Sequence, residues 1–322
     1  MKMNLLLKLT ALSIITLFLS CNEDETEEIV QREYGVEGKH EITSYTADDY
    51  NYSTIYYPKD LATMDHKSPL IFFASGWSPV TSKKYETLLN FIASHGYTVV
   101  FTHQGAKTNA SHAINGYDKI LKETFVKENI LQYVDTDKIG AIGHSAGGGI
   151  VFTILDYYSN EKKYGKNGRF VMALDPWFAF DMTAKKMKEL PDNTNAVIIQ
   201  FGVGGNNDAN STDARIPLTE YALLESIAAT KKDYQVYDKE NANHGYPTGS
   251  RAYSQMQGIL KPLDALLDYT FINQSEAIRK IALENGNDDP YANGKGIQVI
   301  LDSYKYPCSG VKTFIDYCAI VP

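Results

Sequence analysis

The chain is short of positive charge. Its 322 residues contain 31 Lys and Arg against 39 Asp and Glu, which leaves a formal net charge of −8. Nucleic-acid-binding proteins hold phosphates with clustered Lys and Arg, so this balance argues against a nucleic-acid partner. Hydrophobic residues make up 43 % of the chain, which is enough to fill a large core. We therefore expect a globular, monomeric protein.

The apolar run near the N-terminus is too short to cross a bilayer. Residues 9–19 are mostly apolar, Lys2 and Lys8 flank their start, and the run ends at Ser20-Cys21. A membrane-spanning helix needs about 20 apolar residues. The pattern resembles a bacterial lipoprotein signal peptide over residues 1–20, in which Cys21 becomes lipidated. A plain secretory signal with an incidental cysteine is the alternative.

An acidic stretch follows that cysteine. Residues 22–28 contain five Asp and Glu, which favours a solvated tether over residues 21–32. Acidic residues at this place resemble a surface-export signal of some bacteria. The expected location is the cell envelope, as a lipid-anchored outer-membrane protein exposed at the cell surface. The folded domain is expected over residues 33–322.

Cysteine is scarce as well. The chain has three, and lipidation accounts for Cys21. Cys308 and Cys318 remain, ten residues apart near the C-terminus. A disulfide between them would hold the tail in an oxidising compartment outside the cell, and two free thiols are the alternative.

Internal repeats and a second low-complexity linker are absent from residues 33–322. Apolar runs alternate with helical patterns, which predicts an α/β fold with a mostly parallel sheet and helices on both faces. The pattern loosens over residues 273–322, which we interpret as a C-terminal extension packed on the domain. Strands are predicted at residues 69–74, 97–101, 138–142, 170–174, 196–201 and 233–237, and helices at residues 85–94, 114–134, 146–157 and 254–269.

A Gly-His-Ser-Ala-Gly motif at residues 143–147 carries the chemistry. Gly-x-Ser-x-Gly alone is weak evidence, but here it lies between a predicted buried strand and a predicted helix. A sharp strand-to-helix turn exposes the serine hydroxyl above the sheet edge, and glycines remove Cβ atoms that would clash there. The helix that begins near Ala146 points free N–H groups at developing negative charge. Ser145 is therefore the predicted nucleophile.

A general base is expected late in the chain. His244 follows the last predicted strand, where a loop can bring its imidazole to Ser145. His144 adjoins the nucleophile on a tight turn, where neighbouring side chains diverge, and so it cannot readily serve as the base. His103 follows a predicted strand at the sheet edge where Ser145 is expected. It either lines the substrate cleft there or packs in the core.

The oxyanion hole needs two backbone N–H groups. One is expected from Ala146, directly after the nucleophile. The other is expected from Trp77, in the loop after the predicted strand 69–74, where the indole would also cover an acyl group. A lid over the core is the alternative role for Trp77.

The chain resembles a known family over about residues 70–250. Residues 92–97 and 134–149 are similar to bacterial polyester hydrolases, or cutinases, which are related to dienelactone hydrolases. Residues 75–77, Ser-Gly-Trp, resemble the Pro-Gly-Tyr oxyanion loop of that family. Pro176-Trp177 resembles a Pro-Trp pair that lines its substrate cleft. The resemblance implies an α/β-hydrolase fold and a Ser-His-Asp triad.

The acid of that triad is left open among three aspartates. Polyester hydrolases carry it after the strand that corresponds to residues 198–201, where Asp208 lies. Chlorophyllases and platelet-activating-factor acetylhydrolases carry it one strand earlier, which corresponds to Asp175. Asp213 fits a looser hydrolase pattern. We rank Asp175 first, because a carboxylate beside an apolar strand is costly without a partner such as an imidazolium.

The predicted activity is serine carboxylic-ester hydrolysis through an acyl-enzyme, on a small-molecule or polymeric ester. A lipid-ester hydrolase and a non-enzymatic surface binding protein are the alternatives. We expect no cofactor and no resident metal, since the acidic stretches at residues 206–213 and 287–289 lack calcium-loop spacing.

Overall fold

The computed structural model describes residues 32–47, 53–77, 80–103, 109–127, 129–202, 215–237, 239, 242–284 and 315. By its internal contacts the chain divides into two compact units, Met1–Glu33 and Tyr34–Pro322. Of the first unit only residues 32 and 33 are described. Several predicted features lie outside the described residues and stay predictions: residues 1–20 as a signal peptide, lipidation of Cys21, and the disulfide of Cys308 with Cys318.

The second unit is built on a sheet of eight strands in the order β1-β2-β4-β3-β5-β6-β7-β8. β2 runs antiparallel to both of its neighbours, β1 and β4, and all other neighbouring pairs are parallel. The predicted α/β architecture with a mostly parallel sheet is confirmed. The strands are β1 (Ile42–Thr46), β2 (Thr54–Pro58), β3 (Ser68–Ala74), β4 (Thr98–Thr102), β5 (Val134–His144), β6 (Arg169–Leu174), β7 (Thr194–Phe201) and β8 (Lys232–Tyr237).

Helices cover both faces of this sheet. Buried residues of α2 to α5 belong to one apolar core, and buried residues of α1, α6 and α7 belong to a second core. Their bounds are α1 (Glu86–Ser94), α2 (Ser111–Lys127), α3 (Ala146–Asn160), α4 (Ala184–Lys188), α5 (Arg215–Leu223), α6 (Gln257–Phe271) and α7 (Glu276–Leu283).

The two cores follow from the two-residue period of the strands. Successive side chains of a strand point to opposite faces of the sheet. In β3, Leu70 and Phe72 lie in the first core, whereas Ile71 and Phe73 lie in the second. Continuous apolar strands are therefore buried on both sides, as expected for a parallel sheet covered by helices.

Strands that run in parallel end at one edge of the sheet. The pairing of Ala74 with Gly143, and of Leu174 with Ile199, aligns the carboxyl ends of β3, β5, β6 and β7. Loops that follow these ends meet above the edge, which is where open α/β sheets form their ligand clefts.

Some elements differ from those predicted. The helix expected over residues 114–134 ends at Lys127, and β5 begins at Val134 after a turn of 3₁₀-helix. The strands β1 and β2 and the helices α4, α5 and α7 were not predicted. Across the described ranges no helix has the length and apolar character needed to cross a membrane.

Candidate active site

Ser145 occupies a strained turn between β5 and α3. Its backbone has φ 56° and ψ −121°, a region that L-residues rarely adopt. The turn is held from the next strand, because Ser145 N–H donates to the Leu174 carbonyl at 3.0 Å. The Ser145 carbonyl accepts from Trp177 N–H at 2.8 Å. These bonds place the serine at the edge where the strands end.

Two glycines allow this turn to approach the sheet. A Cβ on Gly143 would lie 2.2 Å from the Gly147 carbonyl oxygen, and a Cβ on Gly147 would lie 2.2 Å from that of Ala74. Both distances are far inside van der Waals contact, and the opposing atoms are backbone. The Gly-x-Ser-x-Gly spacing is therefore a steric requirement of this strand-turn-helix connection.

His244 lies between the serine and an aspartate. Its Nε2 is 2.9 Å from Ser145 Oγ, and its Nδ1 is 2.5 Å from Asp175 Oδ2. The imidazole keeps 24 % of its side-chain surface exposed, while the Asp175 side chain is 1 % exposed. A buried carboxylate on one ring nitrogen holds the tautomer in which the other nitrogen accepts a proton from the hydroxyl.

Asp175 follows the last residue of β6 and is the second strained residue of the site, with φ 44°. Its N–H donates to the Ile199 carbonyl at 2.6 Å, which fixes it against β7. The nearby phenol of Tyr234 is buried, and both its burial and the charge of Asp175 raise its pKa, so it stays neutral. The structure thus brings the first-ranked acid to His244. Asp208 and Asp213 lie outside the described residues.

The predicted oxyanion donors also lie at this edge. Ala146 begins α3, and Trp77 follows Gly76 after β3. A Cβ on Gly76 would lie 3.5 Å from Ser145 Cβ, so this loop passes close to the nucleophile. Among the described residues neither the Trp77 N–H nor the Ala146 N–H has a hydrogen-bond acceptor.

The two tryptophans of the chain meet beside the serine. The ring centroids of Trp77 and Trp177 are 4.8 Å apart, and their planes are inclined by 66°. Trp177 also packs against Phe178 and Phe180, while Trp77 is 37 % exposed. The pair forms an aromatic wall whose outer ring faces solvent.

His103 lies at the end of β4 and is buried, with 6 % of its surface exposed. Its ring packs edge-on against that of His112 on α2, with the centroids 5.0 Å apart. Burial and the neighbouring His112 lower the pKa of His103. This contact agrees with the packing role that the sequence left open beside cleft lining.

Two residues that the sequence did not assign to the site are built into it. The His144 ring is buried, with its Nδ1 2.8 Å from the Tyr85 hydroxyl and its Nε2 2.7 Å from the His244 carbonyl oxygen. Burial, and then the nearby His244, hold the pKa of His144 well below its usual range. Tyr85 carried no signal beyond the apolar pattern of its helix, and its role depends on a contact 59 residues away.

The described residues hold no cluster of three or more His, Cys, Asp or Glu side chains that could bind a metal ion. The arrangement offers a hydroxyl, an imidazole, a buried carboxylate and two N–H groups that have no acceptor among the described residues. Together these groups can transfer a proton from the hydroxyl and stabilise an adjacent oxyanion.

No known protein family matches this chain in sequence, and no curated protein matches it either.

Proposed function

We propose that this protein is a serine carboxylic-ester hydrolase. The observation that carries the proposal is the continuous contact from Ser145 Oγ to His244 Nε2 at 2.9 Å and from His244 Nδ1 to Asp175 Oδ2 at 2.5 Å. A serine on a strained strand-to-helix turn, paired with such a histidine and carboxylate, is the arrangement that activates a hydroxyl for acyl transfer.

In the proposed reaction His244 takes the hydroxyl proton of Ser145 as the oxygen attacks the ester carbonyl. The N–H groups of Ala146 and Trp77 donate to the oxyanion of the tetrahedral intermediate. His244 then gives its proton to the leaving alcohol, which frees the acyl-enzyme. A water molecule repeats the sequence and releases the acid, while Asp175 stabilises the imidazolium in both halves.

The proposed fold family is the α/β-hydrolases. Its support is the nucleophile at the β5–α3 turn, followed along the chain by Asp175 after β6 and by His244 after β8. In this family the order Ser, Asp, His goes with a nucleophile exposed at the top of the sheet.

The aromatic wall bears on the substrate. Trp77 and Trp177 present an apolar surface next to Ser145, which favours an apolar or aromatic acyl group. A soluble aryl ester and a polyester chain both offer such a group. The polyester hydrolase-like activity expected from the resemblance is therefore our first substrate proposal.

A lipid-ester hydrolase is the second candidate, and the position of Asp175 favours it. The contact between Asp175 and His244 uses the strand from which chlorophyllases and platelet-activating-factor acetylhydrolases take their acid. A non-enzymatic binding role has less support, because a chain without catalysis has no need to keep two strained residues in contact with one histidine.

The test is covalent labelling combined with three substrates. Purified protein is treated with a fluorophosphonate probe and assayed on a short-chain aryl ester, a suspended polyester film and a short-acyl phospholipid. We expect labelling at Ser145 and hydrolysis of the aryl ester, and the other two substrates decide between the polymer and lipid proposals.

Ser145→Ala is the central variant, and Ser159→Ala is its matched control. Ser145 directly precedes α3. Ser159 is buried near the other end of the same helix, about 20 Å along its axis. We expect Ser145→Ala to lose labelling and at least about a thousandfold in kcat, with Ser159→Ala unchanged. Wild-type protein that neither reacts with the probe nor hydrolyses any of the three esters would refute the hydrolase proposal.

A further inference from the structure

His144 is a buried titratable residue that the proposed mechanism does not use. It is the last residue of β5, next to the nucleophile, and its ring is held between two loops of the site. On one side lies Tyr85, whose hydroxyl also contacts Gly76 N at 2.9 Å. On the other side lies the backbone carbonyl of His244.

The direction of each hydrogen bond follows from its end groups. The His244 carbonyl can only accept, so His144 Nε2 carries the proton and donates to it. In a neutral imidazole Nδ1 is then an acceptor, and Tyr85 O–H donates to it. The Tyr85 oxygen in turn accepts from Gly76 N–H. With an imidazolium, Nδ1 would donate to the Tyr85 oxygen and the Tyr85 O–H would lose its acceptor, so the chain satisfies every donor only when His144 is neutral.

The lowered pKa of His144 agrees with that requirement. Burial is the main cause, and the nearby His244 and Lys84 act in the same direction. The pKa of Tyr85 is raised by its burial, which keeps the phenol protonated as a donor. Both groups therefore hold one protonation state wherever the enzyme is folded and near neutral pH.

The two loops joined by His144 supply different parts of the machinery. Gly76 precedes Trp77, the proposed oxyanion donor, and follows β3. His244, the proposed base, lies beyond β8, which is separated from β5 by two strands. Loops of this kind are less rigid than the strands they follow. The His144 ring, held between these two loops, sets the distance from the Trp77 N–H donor to the base His244.

We propose that His144 is a positioning residue that couples the oxyanion loop to the base loop through Tyr85 on one side and the His244 carbonyl on the other. This inference rests on the proposed hydrolase function. His144 is not a second base, since both ring nitrogens are occupied and its ring lies beside that of His244, with the centroids 4.7 Å apart.

The experiment separates the two bonds with isosteric variants. His144→Phe keeps the ring and removes both bonds. His144→Asn retains an acceptor near the Nδ1 position for Tyr85, and His144→Gln retains a donor near the Nε2 position for the His244 carbonyl. Tyr85→Phe removes the hydroxyl that joins Gly76 to His144.

Tyr117→Phe is the matched control for the tyrosine. Tyr117 is also fully buried, on α2 in the first core, and among the described residues its hydroxyl has no hydrogen-bond partner. For every variant the measured quantities are thermal stability, the fraction of sites titrated by the fluorophosphonate, and kcat and KM for the aryl ester per titrated site.

For His144→Phe and Tyr85→Phe we expect kcat per titrated site to fall roughly ten- to a hundredfold, because a small misplacement of donor or base acts on the transition state. KM should stay within about threefold of the wild-type value. His144→Gln should recover part of the loss and Tyr117→Phe should match the wild type. In the double variant of His144→Phe with Tyr85→Phe the losses should not add, since one network is broken twice.

Other outcomes overturn the inference. Wild-type kcat per titrated site in both His144→Phe and Tyr85→Phe would refute it while leaving the hydrolase proposal intact. Fully additive losses in the double variant would show that the two residues act separately. If His144→Phe does not fold, His144→Gln and Tyr85→Phe carry the test. Wild-type protein without labelling or ester hydrolysis overturns both proposals together.

Discussion

Ser145 and Asp175 each directly follow the last residue of a strand, and both have an unusual backbone conformation. Ser145 and Asp175 both have positive φ, at 56° and 44°. Each such residue costs on the order of 1–3 kcal/mol and persists because its neighbours hold it in place. Here hydrogen bonds to the neighbouring strand hold each residue, since Ser145 N–H donates to the Leu174 carbonyl and Asp175 N–H donates to the Ile199 carbonyl.

The first prediction concerns the acid. Asp175→Asn should lower kcat on a short-chain aryl ester by roughly a thousandfold or more, because an amide can hold His244 in the wrong tautomer. Asp268→Asn is the control, since Asp268, on α6, is also a buried aspartate but accepts a hydrogen bond from the Tyr34 hydroxyl. Near-wild-type turnover in Asp175→Asn would return the role of acid to Asp208 or Asp213.

At the residue level the sequence predicted the candidate catalytic residues but not the contacts that hold them in place. Ser145, His244 and the ranking of Asp175 came from motif context and from the cost of a carboxylate beside an apolar strand. The sequence also excluded His144 as a base, because neighbouring side chains diverge on a tight turn. It did not predict the contacts that His144 makes. Its bonds to Tyr85 and to the His244 carbonyl join positions 59 and 100 residues apart, which no local pattern reports.

Among the elements, α3 is the one on which the site depends most. It begins directly after Ser145 and packs tightly against the loop that follows β6. A Cβ on Gly149 would lie 2.1 Å from the Phe178 carbonyl oxygen and 2.2 Å from that of Trp177. Because both opposing atoms are backbone, neither can rotate away.

The close packing of α3 against the loop after β6 can be tested at Gly149. Gly149→Ala should lower the free energy of unfolding by about 2 kcal/mol or more, because overpacking outweighs the roughly 1 kcal/mol that alanine gains in a helix. Gly249→Ala is the comparison: it has open space around its Cβ but φ +96°, so only backbone strain of about 1–2 kcal/mol applies.

Urea unfolding of both variants measures the difference. A Gly149→Ala protein as stable as the wild type would show that the loop moves freely, and the aromatic wall at Trp177 would then be adjustable. A loss of stability with the wild-type kcat retained would separate packing from chemistry.

Element prediction succeeded for the continuous apolar strands and missed the two antiparallel strands β1 and β2 and the helices α4, α5 and α7. The strands β3 to β8 are apolar runs bounded by turns, and they were found within a few residues. The helix predicted over residues 114–134 ran past Lys127, because Leu131, in a 3₁₀ turn, and Val134, the first residue of β5, continue a three-residue apolar spacing. β2, Thr54–Pro58, was missed because its two tyrosines and its proline do not form an apolar run, although the folded protein buries the whole strand.

At the scale of the whole molecule, two cores lie on either side of one sheet, and each buries ionisable groups beside apolar ones. His144 and His103 both have a lowered pKa, mainly through burial. The folded state therefore favours their neutral forms, whereas the unfolded chain takes up protons near the ordinary histidine pKa of about 6.5.

The third prediction is the resulting pH dependence of stability. Above about pH 6.5 both states leave these imidazoles neutral, and their contribution is fully present. As the pH falls below that value the unfolded state binds more protons, so the free energy of unfolding decreases by up to about 1.4 kcal/mol per pH unit and histidine. The carboxylates with a lowered pKa, such as Asp60, lose their contribution only at more acidic pH.

Urea unfolding at pH 7.5, 6.5 and 5.5 measures this slope. His144→Gln removes one of these two histidines, and its slope should be shallower than that of the wild type over the same range. A free energy of unfolding that stays constant or rises on acidification would contradict the assignment of His144 as a buried neutral ring.

The sequence by itself determined the α/β class, the strand-turn-helix at Ser145 and the candidate base, since each depends on local periodicity, glycine spacing or chain order. The candidate acids came from the resemblance to hydrolase families. The tertiary structure decided which groups meet. Parallel strands end at one edge, so Asp175, His244 and Trp77 come to the same serine from separate loops. The same convergence buries His144 between Tyr85 and the His244 carbonyl, a contact created only when distant segments pack together.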